Sequence, residues 1–427
     1  MRAAAVLLAL CTIAGGAAAQ DPLAGTWQGH WIRAGDSMAV TLRVQRDPAT
    51  GRYSASFDSD RLRVSGIPFA DVQAQGRDVT LTLRGDRTTT VFTGTVRADS
   101  LSGVFREGES EGRFAFSRVA DPGAGLEERE ITFQNGAATL AGTLILPRGG
   151  GAVPAVVFLH GSGAEGRWAS RFLASQLAGH GTAALIFDKR GVGRSTGDWR
   201  QASIEELASD GAAAVARLLQ EPRIDARRIG IHGHSQGGTL APLVAARSGQ
   251  VAFVIGSAAA GVPTDSVEIF SILNSVYPRA TTAADSAGAR EYVGELVAAA
   301  YHGEPRMRLD ALVASLRDRP WFFAPPAADA SYWAFSRDFG RYRPLEWWSR
   351  IRVPVLLLYG GDDQRVPAAE SAARIASALR RAGNRDVTVR IFPGADHTFR
   401  LPPGPGGWPV TAPGYVSTLL DWLALRR

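Results

Sequence analysis

Residues 228–238 read RIGIHGHSQGG, an alternating apolar run that stops at Gly233-His234-Ser235-Gln236-Gly237 and continues into an apolar-periodic segment. A G-x-S-x-G at such a strand–turn–helix junction forms a nucleophile elbow: the glycines let two backbones approach closely, and Ser235 can occupy a strained turn with its hydroxyl exposed. The helix then begins at the serine. The N–H of Gln236 points where a negative oxygen would develop, and the helix dipole favours that charge. Because a serine hydroxyl is almost wholly protonated at neutral pH, it needs a base in contact and a carboxylate that orients the base. The histidines are His30, His160, His180, His232, His234, His302 and His397. His232 and His234 flank the serine too tightly to reach its oxygen from the correct side, so they are expected to pack at the strand end and the elbow. His397 follows a predicted strand, Val387 to Phe392, and precedes a C-terminal helical pattern. The candidate carboxylates are Asp362 and Asp363, which close another apolar run, Asp265 after a predicted strand, and Asp396 beside His397.

These side chains are far apart in the chain, so secondary structure has to bring them together. The chain has 427 residues, 45% hydrophobic and 21% charged, which is ordinary globular composition and more than one small domain needs. Residues 21–120 alternate apolar and polar around Met38, Tyr53, Val79, Val91 and Gly112, with turn clusters between. That spacing predicts an antiparallel all-β meander, a small barrel or sandwich. Its opening, Gly25 to Trp27, is similar to the G-x-W start of lipocalin-like barrels. With no polar cluster to suggest chemistry, this part reads as a structural or substrate-restricting appendage rather than a ligand carrier. A linker is expected at 120–125.

From residue 127 onward, runs such as Val153 to Leu159 and Val353 to Tyr359 are apolar without alternation, as strands buried on both faces of a parallel sheet are. Helical patterns lie between them, at 168–178 and 203–219, so the rhythm is that of a doubly wound α/β sheet. Residues 261–350 are too long for a simple crossover. They hold two helical patterns and then an aromatic-rich part that includes Trp321, Trp333, Phe335, Phe339 and Trp348.

The first 20 residues contain one Arg, an apolar run and a small-residue end, and are expected to be a secretory signal peptide cut before Gln20 or Asp21. Cys11, the sole cysteine, lies inside it after Leu10, where a lipid-attachment box would have a small residue. Without a further thiol, disulfides, thiolate ligands and a cysteine nucleophile are excluded from the exported chain. A secreted or periplasmic bacterial location follows, with no stable membrane insertion once the signal is removed. The net charge of +6 comes almost wholly from arginine, Lys189 being the sole lysine. No basic run or basic–aromatic ladder supports nucleic-acid binding.

From residue 127 onward the chain resembles the α/β-hydrolase superfamily, particularly its serine aminopeptidase-like members and exported bacterial esterases that carry an N-terminal β domain. The resemblance rests on motifs in order: HGSG at 160–163, D-x-R-G-x-G-x-S at 188–195, G-x-S-x-G at 233–237, G-x-x-D-x-x-V-P at 360–367 and G-x-x-H at 394–397. It implies that His397 is the base, that Asp363 leads Asp362 and Asp265 as the carboxylate, and that the Ser162 N–H joins that of Gln236 in an oxyanion hole. It also implies that 261–350 caps the site. His160 is expected to brace the oxyanion loop, and the 188–195 run to brace its own loop. The expected activity is hydrolysis of a small ester with an apolar acyl or aryl group, without metal or cofactor. A serine aminopeptidase of the same fold, with Glu268, Glu291 or Glu295 holding an amine, is the first alternative; a catalytically idle ligand-binding protein is the second.

Overall fold

The structure is a computed structural model that describes residues 21–85, 88–120 and 126–426. The expected signal peptide lies outside the described residues, as does the expected linker apart from Ala120. The described chain divides into two compact units. One contains residues 40–57 and 67–120 with the stretch up to Arg33, and the other runs from Leu126 with 34–39 and 58–66.

The N-terminal strands are β1 (Gly25–Arg33), β2 (Asp36–Arg46), β3 (Tyr53–Ser59), β4 (Val64–Pro68), β5 (Asp71–Gln75), β6 (Asp78–Arg84), β7 (Thr89–Arg97), β8 (Ser100–Glu107) and β9 (Ser110–Val119). They form one sheet in the order β4-β3-β2-β1-β9-β8-β7-β6-β5, a half-barrel whose two end strands are not paired with each other. Alternation puts Trp31, Phe92, Phe105 and Phe114 on one face. Their rings pack with Phe92 at its centre, 4.8 Å from Trp31, 5.3 Å from Phe105 and 5.8 Å from Phe114. This face is filled by side chains. Trp27 of the G-x-W opening is buried, donates its indole N–H to Leu23 O at 3.0 Å and lies under the Arg118 guanidinium at 4.2 Å.

The second unit is a mixed sheet with helices. Its strands are β10 (Leu126–Asn135), β11 (Ala138–Pro147), β12 (Val153–Leu159), β13 (Ala183–Phe187), β14 (Ile224–His234), β15 (Phe253–Ser257), β16 (Val355–Gly360) and β17 (Val387–Phe392), in the order β10-β11-β13-β12-β14-β15-β16-β17. The pairs β10–β11 and β11–β13 are antiparallel, and the remaining pairs are parallel. The continuous apolar runs serve two cores at once because successive side chains leave opposite faces of a strand. Val157 and Leu159 of β12, with Leu357 and Tyr359 of β16, enter one core, while Val156, Phe158, Leu356 and Leu358 enter the other. On the first face lie α2 (Ile204–Leu218), α3 (Gln236–Ser248) and α9 (Ala368–Arg381). On the second lie α1 (Trp168–Gly179) and α10 (Tyr415–Ala424). Ser203 starts α2 with a reciprocal capping box: its hydroxyl accepts from Glu206 N, and the Glu206 carboxylate accepts from Ser203 N.

Between β15 and β16 the chain inserts α4 (Thr264–Val276), α5 (Ala283–Val297), α6 (Met307–Leu316), α7 (Ser331–Arg341) and α8 (Pro344–Trp348). The insertion has its own core, in which Tyr292, Trp321 and Trp333 are buried. Trp348 is instead part of the core beneath the sheet, so the aromatic stretch divides between two interiors.

Candidate active site

Ser235 sits between β14 and α3 with φ 56° and ψ −116°, a conformation that costs a non-glycine residue about 1–3 kcal/mol. Neighbouring groups hold it there. Its N–H donates to Ser257 O at 2.8 Å, and its carbonyl accepts from Thr239 N at 2.9 Å and Thr239 Oγ1 at 3.0 Å. A Cβ on Gly233 would lie 2.2 Å from Gly237 O, and one on Gly237 would lie 2.6 Å from His160 O. Both glycines are therefore required by backbone approach, as the motif implied.

His397 Nδ1 lies 2.8 Å from Asp363 Oδ2, and the Asp363 side chain is fully buried. The other oxygen, Oδ1, accepts from Arg365 N at 2.7 Å and Val366 N at 2.9 Å. An ionised carboxylate only accepts, so the ring carries its proton on Nδ1 and leaves Nε2 free as an acceptor. The loop that bears His397 is docked on the elbow: its carbonyl accepts from His234 Nε2 at 3.0 Å, and the two rings are 4.9 Å apart. The fold thus joins His397 to Asp363 and sets the histidine loop against the residue that precedes Ser235. Among the described residues, no hydrogen bond links the Ser235 hydroxyl to the His397 ring. Catalytic hydrogen bonds often close only when substrate arrives.

The other candidate carboxylates have different surroundings. Asp362 is exposed, Asp265 pairs with His302 at 3.0 Å, and Asp396 Oδ1 accepts from the Thr398 and Arg400 amides at 2.8 and 2.9 Å. His30, His180 and His302 are exposed. Burial drives three further histidines toward the neutral form: His160 falls to about 4, His232 to about 3 and His234 to about 4. His160 bonds to Phe187 O and packs edge-on against that ring, which ties the start of the 160–163 loop to the end of β13.

Ser162, Ser235 and Gln236 share the wall of a cavity of about 590 Å³. The Ser162 amide makes no hydrogen bond among the described residues. Opposite stands α4, whose Thr264, Val267, Glu268, Ser271, Ile272 and Ser275 face the cavity at helical spacing. Trp199, Tyr332, Phe335 and Phe339 add aromatic wall. Of the three glutamates weighed from the sequence, only Glu268 lines this cavity; Glu291 and Glu295 both pair with Arg308, at 3.0 and 3.2 Å. Burial raises the Glu268 carboxyl above its ordinary value, against the opposing effects of the Tyr301 hydroxyl bonded to it and the Arg365 charge.

Residues 188–195 form a charged brace. Asp188 accepts from Arg167 N at 3.0 Å, Arg167 Nη2 at 2.9 Å and Arg194 N at 3.1 Å. Arg190 makes a two-pronged contact with Asp210 at 2.7 and 2.8 Å. Lys189, expected from the sequence to be part of this brace, turns instead toward the 160–163 loop and Gln236. Its being the sole lysine, at the end of a buried strand, was the available signal.

A family model described as serine aminopeptidase, S33, matches residues 151–401. Esterase EstD of Thermotoga maritima is 29% identical over 185 residues, 42% of this chain and 43% of that protein. Quorum-quenching protein AidA of Acinetobacter baumannii is 35% identical over 105 residues, 24% of this chain and 34% of that protein. The chain thus spans less than half the length of these curated relatives. Among solved structures, the Pyrococcus furiosus esterase Pf2001 has a TM-score of 0.44 at 17% identity, covering 70% of this chain and 90% of that chain. Est1E from Butyrivibrio proteoclasticus has a TM-score of 0.43 at 15% identity, covering 70% and 98%.

His160, His232 and His234 bind protons more readily in the unfolded chain, near pH 6.5, than in the fold. Their contribution to stability is therefore present above about pH 6.5 and is lost as pH falls to about 4 for His160 and His234 and to about 3 for His232. Urea midpoints measured at successive pH values should fall across this window, and His232→Asn should flatten the fall. An unchanged slope in the variant would contradict a neutral, buried His232.

Proposed function

The chain belongs to the serine aminopeptidase S33 family of α/β-hydrolases, and from that premise we propose that it is an exported serine hydrolase that cleaves small carboxylic esters. The observation that carries this reading is the His397–Asp363 pair, docked by the His234 contact onto a strained elbow whose serine opens into a cavity. In the proposed reaction, Ser235 Oγ attacks the ester carbonyl carbon while His397 Nε2 takes the hydroxyl proton. Asp363 stays ionised and stabilises the resulting imidazolium. The Ser162 and Gln236 amides hold the negative oxygen of the tetrahedral intermediate, each worth on the order of 3 kcal/mol in the transition state. His397 returns the proton to the leaving alcohol, and water then releases the acyl group from Ser235 by the same steps in reverse roles.

The aromatic and aliphatic wall of the cavity suits an apolar acyl or aryl group. One observation favours a second reading: Glu268 places a carboxyl in that cavity, where a substrate ammonium could meet it, as an aminopeptidase would require. An idle ligand-binding protein finds no such support, because a ligand cavity alone does not need the elbow strain or the histidine–aspartate pair. Export rests on the composition of residues 1–20. No helix among the described residues is long and apolar enough to cross a membrane.

A p-nitrophenyl ester series of increasing acyl length, run on wild type and Ser235→Ala, tests the reaction. Turnover should fall by at least about 10³-fold in the variant, and Asp363→Asn should lose about 10⁴-fold in kcat. Near-full turnover by Ser235→Ala would sink the mechanism. Faster cleavage of aminoacyl p-nitroanilides than of esters, lost in Glu268→Gln, would replace the ester reading with the aminopeptidase one.

Export is checked by the N-terminus of the protein recovered outside the cytoplasm, expected at Gln20 or Asp21. Cytoplasmic protein that still carries the leader would contradict it.

A further inference from the structure

Lys189 is 4% exposed and uses all three hydrogens of its ammonium group: Nζ donates to Gly161 O at 2.9 Å, Gly163 O at 3.1 Å and Gln236 Oε1 at 3.1 Å. The Trp199 ring centroid is 4.9 Å from the same nitrogen. The first of these bonds has a consequence fixed by covalent geometry. Gly161 C=O and Ser162 N–H belong to one planar trans peptide unit, so they point in opposite directions. A carbonyl held on Lys189 turns the Ser162 N–H away from the lysine. Gly163 O is held by the same ammonium, which fixes Ser162 from both sides. The third bond holds the side chain of Gln236, the residue whose N–H is the other oxyanion donor.

We propose that Lys189 is the positioning residue of the oxyanion hole, its single ammonium aiming the Ser162 donor and anchoring the Gln236 donor, and polarising the 161–162 peptide so that its N–H binds negative charge more strongly. The inference rests on the assignment of those two amides under the proposed function. A cation on a carbonyl oxygen strengthens the hydrogen bond donated from the other end of the same peptide, and the effect is larger away from water. Lys189 makes no direct contact with the reacting atoms in this scheme and acts only through the two residues that do.

The titratable groups around Lys189 come from the loop before α1, from α2 and from the segment after β13. Glu165 accepts from Gly161 N at 2.7 Å and Asp210 is held by Arg190, so neither carboxylate bonds the ammonium directly, although both favour its charge. His160, on the oxyanion loop, is held neutral by burial. Burial also pulls Lys189 down from the ordinary lysine value to about 8, against Glu165 and Asp210. Above that pH the neutral amine has two hydrogens for three acceptors and no charge to polarise the peptide. Aiming and polarisation should therefore fail together on the alkaline side.

The chain's single lysine makes this directly measurable in the full protein. Lysine labelled with carbon-13 at the side chain gives one resonance, and its titration belongs to Lys189. The expected midpoint is about 8, coincident with a fall in kcat on the alkaline limb of ester hydrolysis. In Lys189→Met, kcat should drop on the order of 10²-fold with little change in KM, and the limb at that pH should vanish. Lys189→Arg keeps its charge at every accessible pH, so it should recover part of kcat and show no such limb. The wild-type titration needs no variant to fold. A Lys189→Met enzyme with wild-type kcat and an unchanged alkaline limb would overturn the inference, as would a kcat that stays constant while Lys189 loses its proton. Failure of the underlying reading shows separately, as turnover retained by Ser235→Ala whatever the lysine does.

Discussion

The site depends on how closely two backbones approach at the elbow. A side chain on Gly237 would collide with the carbonyl of His160, and one on Gly233 with the carbonyl of Gly237, so the start of α3, the end of β14 and the 160–163 loop occupy one tight contact. That contact puts Ser235, Gln236 at the start of α3, and Ser162 and Gly163 within one cavity wall. Its cost is the positive φ of Ser235. The offset comes from the bonds to Ser257 O and Thr239 and from α3 itself, which is buried along most of its length as a helix inside a sheet-and-helix core should be.

Charge is arranged around that contact in a consistent way. Buried carboxylates and guanidiniums appear as pairs, Asp188 with Arg167 and Asp210 with Arg190, each with further hydrogen bonds. Such pairs gain little net stability over apolar replacements, but breaking one leaves an unpaired buried charge, so they favour a single loop geometry. Lys189 departs from the pattern: its partners are two carbonyls and an amide oxygen, not a carboxylate. A buried cation bonded only to neutral groups carries a desolvation cost that those bonds offset only in part, and burial accordingly pulls the Lys189 ammonium toward its neutral form.

Much of this was legible in the sequence because it depends on local pattern. Unbroken apolar runs identified β12 and β16, whose two-faced burial explains the absence of alternation. Motif spacing favours Asp363 over Asp362, and the surroundings of Asp363 are local as well: the amides two and three residues on, at Arg365 and Val366, donate to its carboxylate. Less was legible where contacts are long-range. β4 and β5 are only five residues each, too short for their pattern to stand out, and the glycine-containing β8 lacks clean alternation; β5 and β8 acquire strand form from their neighbours in the sheet. Glu268 could not be told from Glu291 and Glu295, since all three sit in helical patterns and only the packing of α4 turns one of them into the cavity. The partners of Lys189 lie 28, 26 and 47 residues away, and no spacing rule reaches them.

The central claim, that the Ser235 hydroxyl is the nucleophile activated by His397, is tested most directly by a covalent probe. A fluorophosphonate forms a phosphorus–oxygen bond as fluoride leaves and the serine proton passes to the base, so the mass and site of the adduct report the nucleophile. The account predicts one adduct per chain, on the peptide that carries Ser235, formed much more slowly in His397→Ala. An adduct on another residue, or equally fast labelling without the His397 ring, would contradict it.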